Sequence, residues 1–307
     1  MRHAIVDFGS NTIRLCIYEL EDNASEFVQI YNKKNMAGLI SYFDKNGNLS
    51  NDGIEKAIEI LLSCKRKINN LQCDTSHVFA TAIMRRAKNA DEIIERIKEE
   101  TGFHIDVISG EQEAAYGFLG SMKAVDITEG VQIDIGGAST ELVVFKDRTI
   151  VFSKSFAFGS LSLYLKFVSA LMPTKKELHK IRDYVKDELK ATPELENITS
   201  NQIVGIGGSI RAGGKIRDDW LNDNLIVKQP YFSLDELDNI LAYVKENPKK
   251  SVKKILQVVP DRVHTAIPGL VCAKAIASYF GADAIIISRY GVREGYLLTK
   301  ALVADAN

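Results

Sequence analysis

Ile5-Val6-Asp7-Phe8-Gly9-Ser10-Asn11-Thr12, near the start of the chain, is echoed by Gln132-Ile133-Asp134-Ile135-Gly136-Gly137-Ala138-Ser139-Thr140 further on. Each stretch reads as an apolar strand ending in Asp, a tight Gly turn, a Thr and then a second strand. Asp134 stands 127 residues after Asp7. A repeated opening at that distance points to a duplicated structural unit.

Working outward, Ile13, Leu15 and Ile17 alternate with Arg14, Cys16 and Tyr18, as a strand requires. A third strand is expected at Glu26 to Tyr31. Ile54, Ala57, Ile58, Leu61 and Leu62 fall on one helical face. Strands are expected at His77 to Thr81 and Ile105 to Ile108, flanking a helix at Asp91 to Glu100. Ser109-Gly110-Glu111-Gln112 fits a capping box, so a helix starts there and runs to about Met122. The pattern then restarts with strands at Val131 to Ile133, Glu141 to Phe145 and Thr149 to Phe156. Helices follow at about Leu161–Ala170 and Thr174–Leu189, then a strand at Ile203 to Ile206. Two or three helices fill Ser233 to Phe280, ahead of a last strand, Ala284 to Ser288, and a helix from Gly291. Both halves thus read β-β-β-α-β-α-β, an α/β fold. Residues 1–124 form one expected lobe and 125–291 the other, with both Gly turns facing a common cleft.

Those turns suit phosphate. Gly at a bend lets an anion approach the backbone N–H groups. Ser10, Asn11, Ser139 and Thr140 add short donors, and Asp7 and Asp134 are placed for a hydrated Mg²⁺. Gly205-Ile206-Gly207-Gly208-Ser209 reads as a third anion-binding turn at a helix N-terminus or as an ordinary strand-to-helix turn. Glu111 and Glu113 lie two positions apart in a first helical turn, so they face different ways. They favour one catalytic acid over a pair, or simply complement the helix dipole.

The bulk numbers remove other classes. Of 307 residues, 46% are apolar and 26% charged, as in a soluble globular chain long enough for two domains. The net charge of −1 gives no global field for nucleic acid or an anionic membrane. Cys16, Cys64, Cys73 and Cys272 are scattered without zinc spacing, and the five His are dispersed. Neither a signal-peptide pattern nor an apolar membrane span is visible, so a cytoplasmic protein is expected. A P-loop fails because Ile216 stands where Ser or Thr belongs.

Taken together, the motifs resemble the exopolyphosphatase/guanosine pentaphosphate phosphohydrolase (Ppx/GppA) family. The match rests on Asp7 to Leu15, Ala80 to Asn89, Ser109 to Ala114, Asp134 to Leu142, and Gly205 to Ser209 with Gly291 to Gly295. It departs at Ala138, where the family has a third Gly. The resemblance implies an actin-like ATPase (ribonuclease H-like) fold of two duplicated lobes, each with a mixed five-stranded sheet and flanking helices. A C-terminal helix, about residues 292–307, would cross back to the first lobe, with a hinge near Met122 to Gly130. It also implies Mg²⁺- or Mn²⁺-dependent release of phosphate from inorganic polyphosphate or guanosine pentaphosphate. Glu113 would be the catalytic acid, Asp134 and Glu141 the metal-associated acids with Asp7, and Arg14 and Arg85 the phosphate-binding arginines. The remaining phosphate contacts would be Gly9, Ser10, Asn11, Thr12, Gly136, Gly137, Ala138, Ser139, Thr140, Gly207, Gly208 and Ser209. Neither nucleic acid nor membrane is expected as a partner, and a homodimer is compatible with this reading. The rivals are a kinase of the same fold and a non-catalytic alarmone-binding or polyphosphate-binding actin-like protein.

Overall fold

A computed structural model describes residues 1–20, 26–221 and 230–301. The chain falls into two compact units, Met1–Glu113 with the segment from Tyr296 onward, and Ala114–Gly295.

The first unit opens with strands β1 (Arg2–Phe8), β2 (Thr12–Leu20) and β3 (Phe27–Met36). Helix α1 (Asn51–Asn70), strand β4 (Thr75–Ala80), short helix α2 (Ala82–Arg86), helix α3 (Ala90–Thr101) and strand β5 (Ile105–Val107) follow. The sheet order is β3-β2-β1-β4-β5. The first three strands run antiparallel, and β4 and β5 are parallel to β1. The alternation of β2 has a direct outcome: Ile13, Leu15 and Ile17 are buried in one core with Ile54, Ala57, Ile58 and Leu61 of α1. Each such aliphatic side chain contributes about 1.5–3 kcal/mol on burial.

Helix α4 (Gly110–Met122) leads into the second unit. Strands β6 (Gly130–Ile135), β7 (Thr140–Lys146) and β8 (Thr149–Phe156) repeat the antiparallel meander. Helices α5 (Ser160–Phe167) and α6 (Lys175–Lys190) precede strand β9 (Gln202–Ile206), parallel to β6. Then come α7 (Gly207–Leu221), β10 (Tyr231–Ser233), α8 (Leu234–Glu246), α9 (Pro248–Val258), α10 (Ala266–Tyr279) and β11 (Ala284–Ile287). Helix α10 is apolar nearly all round and is buried from Ala266 to Cys272 without a break. Such a helix belongs inside a core, not on a surface.

The two sheets share the order of their first five strands, so the duplication is real and the fold is the expected actin-like α/β architecture. The second sheet departs from the expected five strands. Its order is β10-β11-β9-β6-β7-β8, six strands, because Tyr231–Ser233 pairs antiparallel with β11. Three residues are too few to show a period, so this strand has no sequence signal. The C-terminal helix expected over about residues 292–307 also differs. Helix α11 (Val292–Tyr296) passes into a π-helical turn, Leu297–Ala301, and residues 302–307 lie outside the described residues.

Candidate active site

In the first unit, the candidate residues begin with the β1–β2 hairpin. Its register sets Phe8 opposite Ile13 and Asp7 opposite Arg14. The Gly9 N–H donates to the Thr12 carbonyl at 3.0 Å and closes a four-residue bend. Gly9 is not left-handed; close approach explains it, since a Cβ there would stand 3.1 Å from the Thr12 oxygen. The bend's carbonyls are held from behind. Ser10 oxygen accepts from Ile40 N–H, and Asn11 oxygen accepts from the Ala37 and Gly38 N–H groups. The Arg14 guanidinium donates to Asn32 Oδ1 at 2.7 Å and stays half-buried beside Asp7.

The β6–β7 hairpin repeats this construction. Ile135 pairs with Thr140 and Asp134 with Glu141, and Gly136 N–H donates to the Ser139 carbonyl at 3.0 Å. Backbone amides of Ser160, Leu161 and Ser162 at the start of α5 donate to the Gly136 and Gly137 carbonyls. The Ser160 hydroxyl adds a bond to Gly136 oxygen at 2.9 Å. Gly159, just before α5, lies so close to Gly136 and Gly137 that a Cβ would meet their backbone at 2.8 Å. The structural equivalence is therefore Thr12 with Ser139 and Arg14 with Glu141. The Thr140 hydroxyl, expected on phosphate, instead donates to the Phe158 carbonyl at 2.7 Å. Ala138 is buried and has no positive φ, so its methyl costs the bend no backbone strain.

What differs is the charge across each hairpin. Directly opposed residues on antiparallel strands place their Cβ atoms ~4.5–5.5 Å apart. In the first unit an acid faces a guanidinium. In the second, Asp134 faces Glu141, which is only 2% exposed and accepts from the Ser155 hydroxyl at 2.8 Å. Two opposed carboxylates repel unless a cation or a proton joins them.

A third turn abuts this pair. Gly207, at the start of α7, has φ of 81°, and its missing side chain leaves room for the Asp134 carboxylate, which a Cβ would overlap. The adjacent Gly208 lies against the Arg262 guanidinium in the same way. A 15-residue helix N-terminus and a guanidinium thus border Asp134, an arrangement that attracts anions. Ser209 does not face that space: it is buried against Gly269 of α10.

Glu113 closes the first unit, at the start of α4. The capping box is present: Ser109 N–H donates to Gln112 Oε1 at 2.8 Å, and Gln112 N–H donates to Ser109 Oγ at 3.2 Å. It orients the first turn so that Glu111 is exposed and Glu113 only 8% exposed. Ser109's hydroxyl holds the Glu111 carboxyl below the usual carboxylate range, marking that acid as a capping group. Glu113 Oε2 instead accepts from Arg85 Nη1 at 2.8 Å, and the same nitrogen donates to the Ile108 carbonyl. Arg85, expected on substrate oxygens, here holds the Glu113 carboxylate in place through this bond.

The donor chemistry at Asp134 and Glu141 fits a hard divalent ion such as Mg²⁺ or Mn²⁺. The two acids oppose each other, and Gly207 leaves a cradle beside Asp134 that a Cβ would fill. Among the described residues no cluster of three or more His, Cys, Asp or Glu forms a closed metal cage. An ion that keeps its waters and substrate phosphates as ligands needs none. Asp7 has a cation opposite already. Arg262 and Ser160 were not singled out from the sequence. No local motif marks either, because each reaches its turn only through tertiary packing.

Comparison with known proteins follows the same lines. The Ppx/GppA phosphatase family model matches residues 17–304. A bifunctional 3-dehydroquinate synthase/phosphatase of Fusobacterium nucleatum is 28% identical over 298 residues, 93% of this chain and 44% of that protein. The chain therefore spans less than half the length of that relative. Exopolyphosphatase 1 of Mycobacterium tuberculosis is 22% identical over 98% of this chain and 88% of its own. The crystal structure of an Aquifex aeolicus Ppx/GppA family member superposes with a TM-score of 0.80 at 28% identity, covering 99% of each chain.

Proposed function

The chain belongs to the Ppx/GppA phosphatase family, and from that premise we propose that it releases terminal orthophosphate from inorganic polyphosphate. The observation that carries this reading is Glu113: an acid set by a capping box, nearly buried, and hydrogen-bonded by Arg85 at 2.8 Å. Such a group is a positioned general base. The attacking water forms a bond to the terminal phosphorus while the bridging P–O bond breaks. The water's proton passes to Glu113, and the shortened chain leaves as a phosphate oxyanion. The protein's remaining task is to position the chain and neutralise its oxygens.

That task suits the bends. Their carbonyls are tied back by the amides that follow β3 and β8, which favours N–H groups over carbonyls toward an anion. Arg14, and Arg262 beside Gly208, supply charge-assisted hydrogen bonds to non-bridging oxygens. Asp134 and Glu141 would hold Mg²⁺ or Mn²⁺, which when bound neutralises phosphate charge as a Lewis acid. Guanosine pentaphosphate presents the same anhydride, and the family premise extends to it.

The test is phosphate release from polyphosphate and from guanosine pentaphosphate, side by side, with and without Mg²⁺. We expect Mg²⁺-dependent release with polyphosphate preferred. Glu113→Gln should fold and lose about 10²–10⁴ in kcat. Full activity in that variant removes Glu113 as the base. Turnover only when a sugar or acetate acceptor is added would make the chain a kinase instead.

A further inference from the structure

The second unit carries a groove that the reading above does not use. It encloses about 200 Å³ between α6, α8 and α10. Arg182 and Lys186 line it from α6, Lys245 from α8 and Lys274 from α10, against a single carboxylate, Asp238. Its floor is apolar, with Leu178, Leu241 and Val271 buried beneath. Four cations around one acid stand out in a chain whose net charge is −1.

The local pairing compensates only half of these cations. Lys274 pairs with Asp238, and Arg182 bonds its neighbour Asp183 at 2.7 Å. Neither Lys186 nor Lys245 has a carboxylate partner among the described residues, and Lys186 is half-buried. Like charges gathered round a concavity repel one another, and a bound polyanion relieves that repulsion.

The groove is also separate from the phosphate turns. Gly269 of α10 packs on Ser209 and Ser160, beside those turns. Val271, Lys274, Ala275 and Ser278 lie roughly 140–240° round the helix from Gly269, at about 100° per residue. One buried helix therefore presents its two faces to two different sites.

We propose that this groove is a second anion site, taking a multiply charged phosphate group on the face of α10 opposite the turns. A pocket of this size is below the ~300–1,000 Å³ of whole-ligand sites, so it holds a run of phosphate groups and not a complete nucleotide. The bare ends of a phosphate chain and the phosphates of a nucleotide share that chemistry.

Lysine-acetylation footprinting of the intact chain, read by mass spectrometry, tests it without relying on turnover. Inorganic tripolyphosphate at ten times its Kd should slow acetylation of Lys186 and Lys245 about tenfold. Lys249 and Lys250, exposed on α9, should change little. The protection should persist in Arg262→Gln, which alters only the turn site. No protection of Lys186 and Lys245, equal protection of Lys249 and Lys250, or loss of protection in Arg262→Gln would each overturn the site. Guanosine triphosphate in a parallel arm distinguishes the sources. Protection by tripolyphosphate supports a bare phosphate chain as ligand, whereas protection by the nucleotide alone overturns a site for phosphate groups.

Discussion

The two hairpins of this protein share one backbone and differ in one charge. Gly9 and Gly136 close bends of equal length with the same N–H to carbonyl bond at 3.0 Å. Asp7 and Asp134 end the entering strands and face residue 14 or residue 141 across the register. Arg14 makes the first hairpin self-compensating, and it remains half-buried. Glu141 gives the second hairpin a carboxylate opposite Asp134, and that carboxylate is buried. Duplication thus supplied two copies of one turn, and a single side-chain difference sets a guanidinium opposite Asp7 and a carboxylate opposite Asp134; in the function proposed above, the second is the one that takes a metal ion.

The largest expected effect comes from breaking the acid pair. Asp134→Asn or Glu141→Gln should lower kcat on the order of 10²–10³ and abolish Mn²⁺ binding followed by electron paramagnetic resonance. Asp7→Asn should leave Mn²⁺ binding intact and cost roughly a factor of five or less, as for a solvent-accessible pair. Equal loss of Mn²⁺ binding in all three would erase the distinction between the hairpins.

Gly207→Ala probes the same acid from the facing turn. Its Cβ would overlap the Asp134 carboxylate, and φ of 81° suits no β-carbon. A loss of about 1–3 kcal/mol in denaturant unfolding is expected. An unchanged midpoint would mean that Asp134 has another position available.

Arg14→Gln removes the cation that distinguishes the first hairpin. Losing a charge-assisted hydrogen bond of about 1.5–3 kcal/mol should raise KM by roughly 10–100-fold with kcat little changed. A fall in kcat at constant KM would move Arg14 from ground-state binding to the transition state.

The smallest effect belongs to Ala138→Gly, which restores the family's third glycine. Because Ala138 has no positive φ, the change should only add unfolded-chain entropy. That costs about 0.4–1 kcal/mol in thermal unfolding and leaves phosphate release within error. A marked gain in activity would show that the methyl obstructs the bend.

Much of this was legible in the residues themselves. The strand alternation at Ile13, Leu15 and Ile17, the amphipathic helix at Ile54 to Leu62 and the capping box before Glu113 are local patterns, and each element formed. Strand β10 and the π-helical turn at Leu297–Ala301 left no such trace. A motif names a residue but not its partner: that the Arg85 Nη1 bonds Glu113 at 2.8 Å is visible only once the chain is packed.

Local periodicity, turn chemistry and capping depend on neighbours a few residues away, so the linear order of amino acids was enough to dictate the duplicated α/β plan and the two Asp-ended turns. Pairing depends on groups far apart in the chain. Glu141 opposite Asp134, Arg262 on Gly208 and the bare lysines between α6 and α8 emerged only when strands took register and helices packed. The reason is that charge acts through distance in space, and folding is what sets that distance.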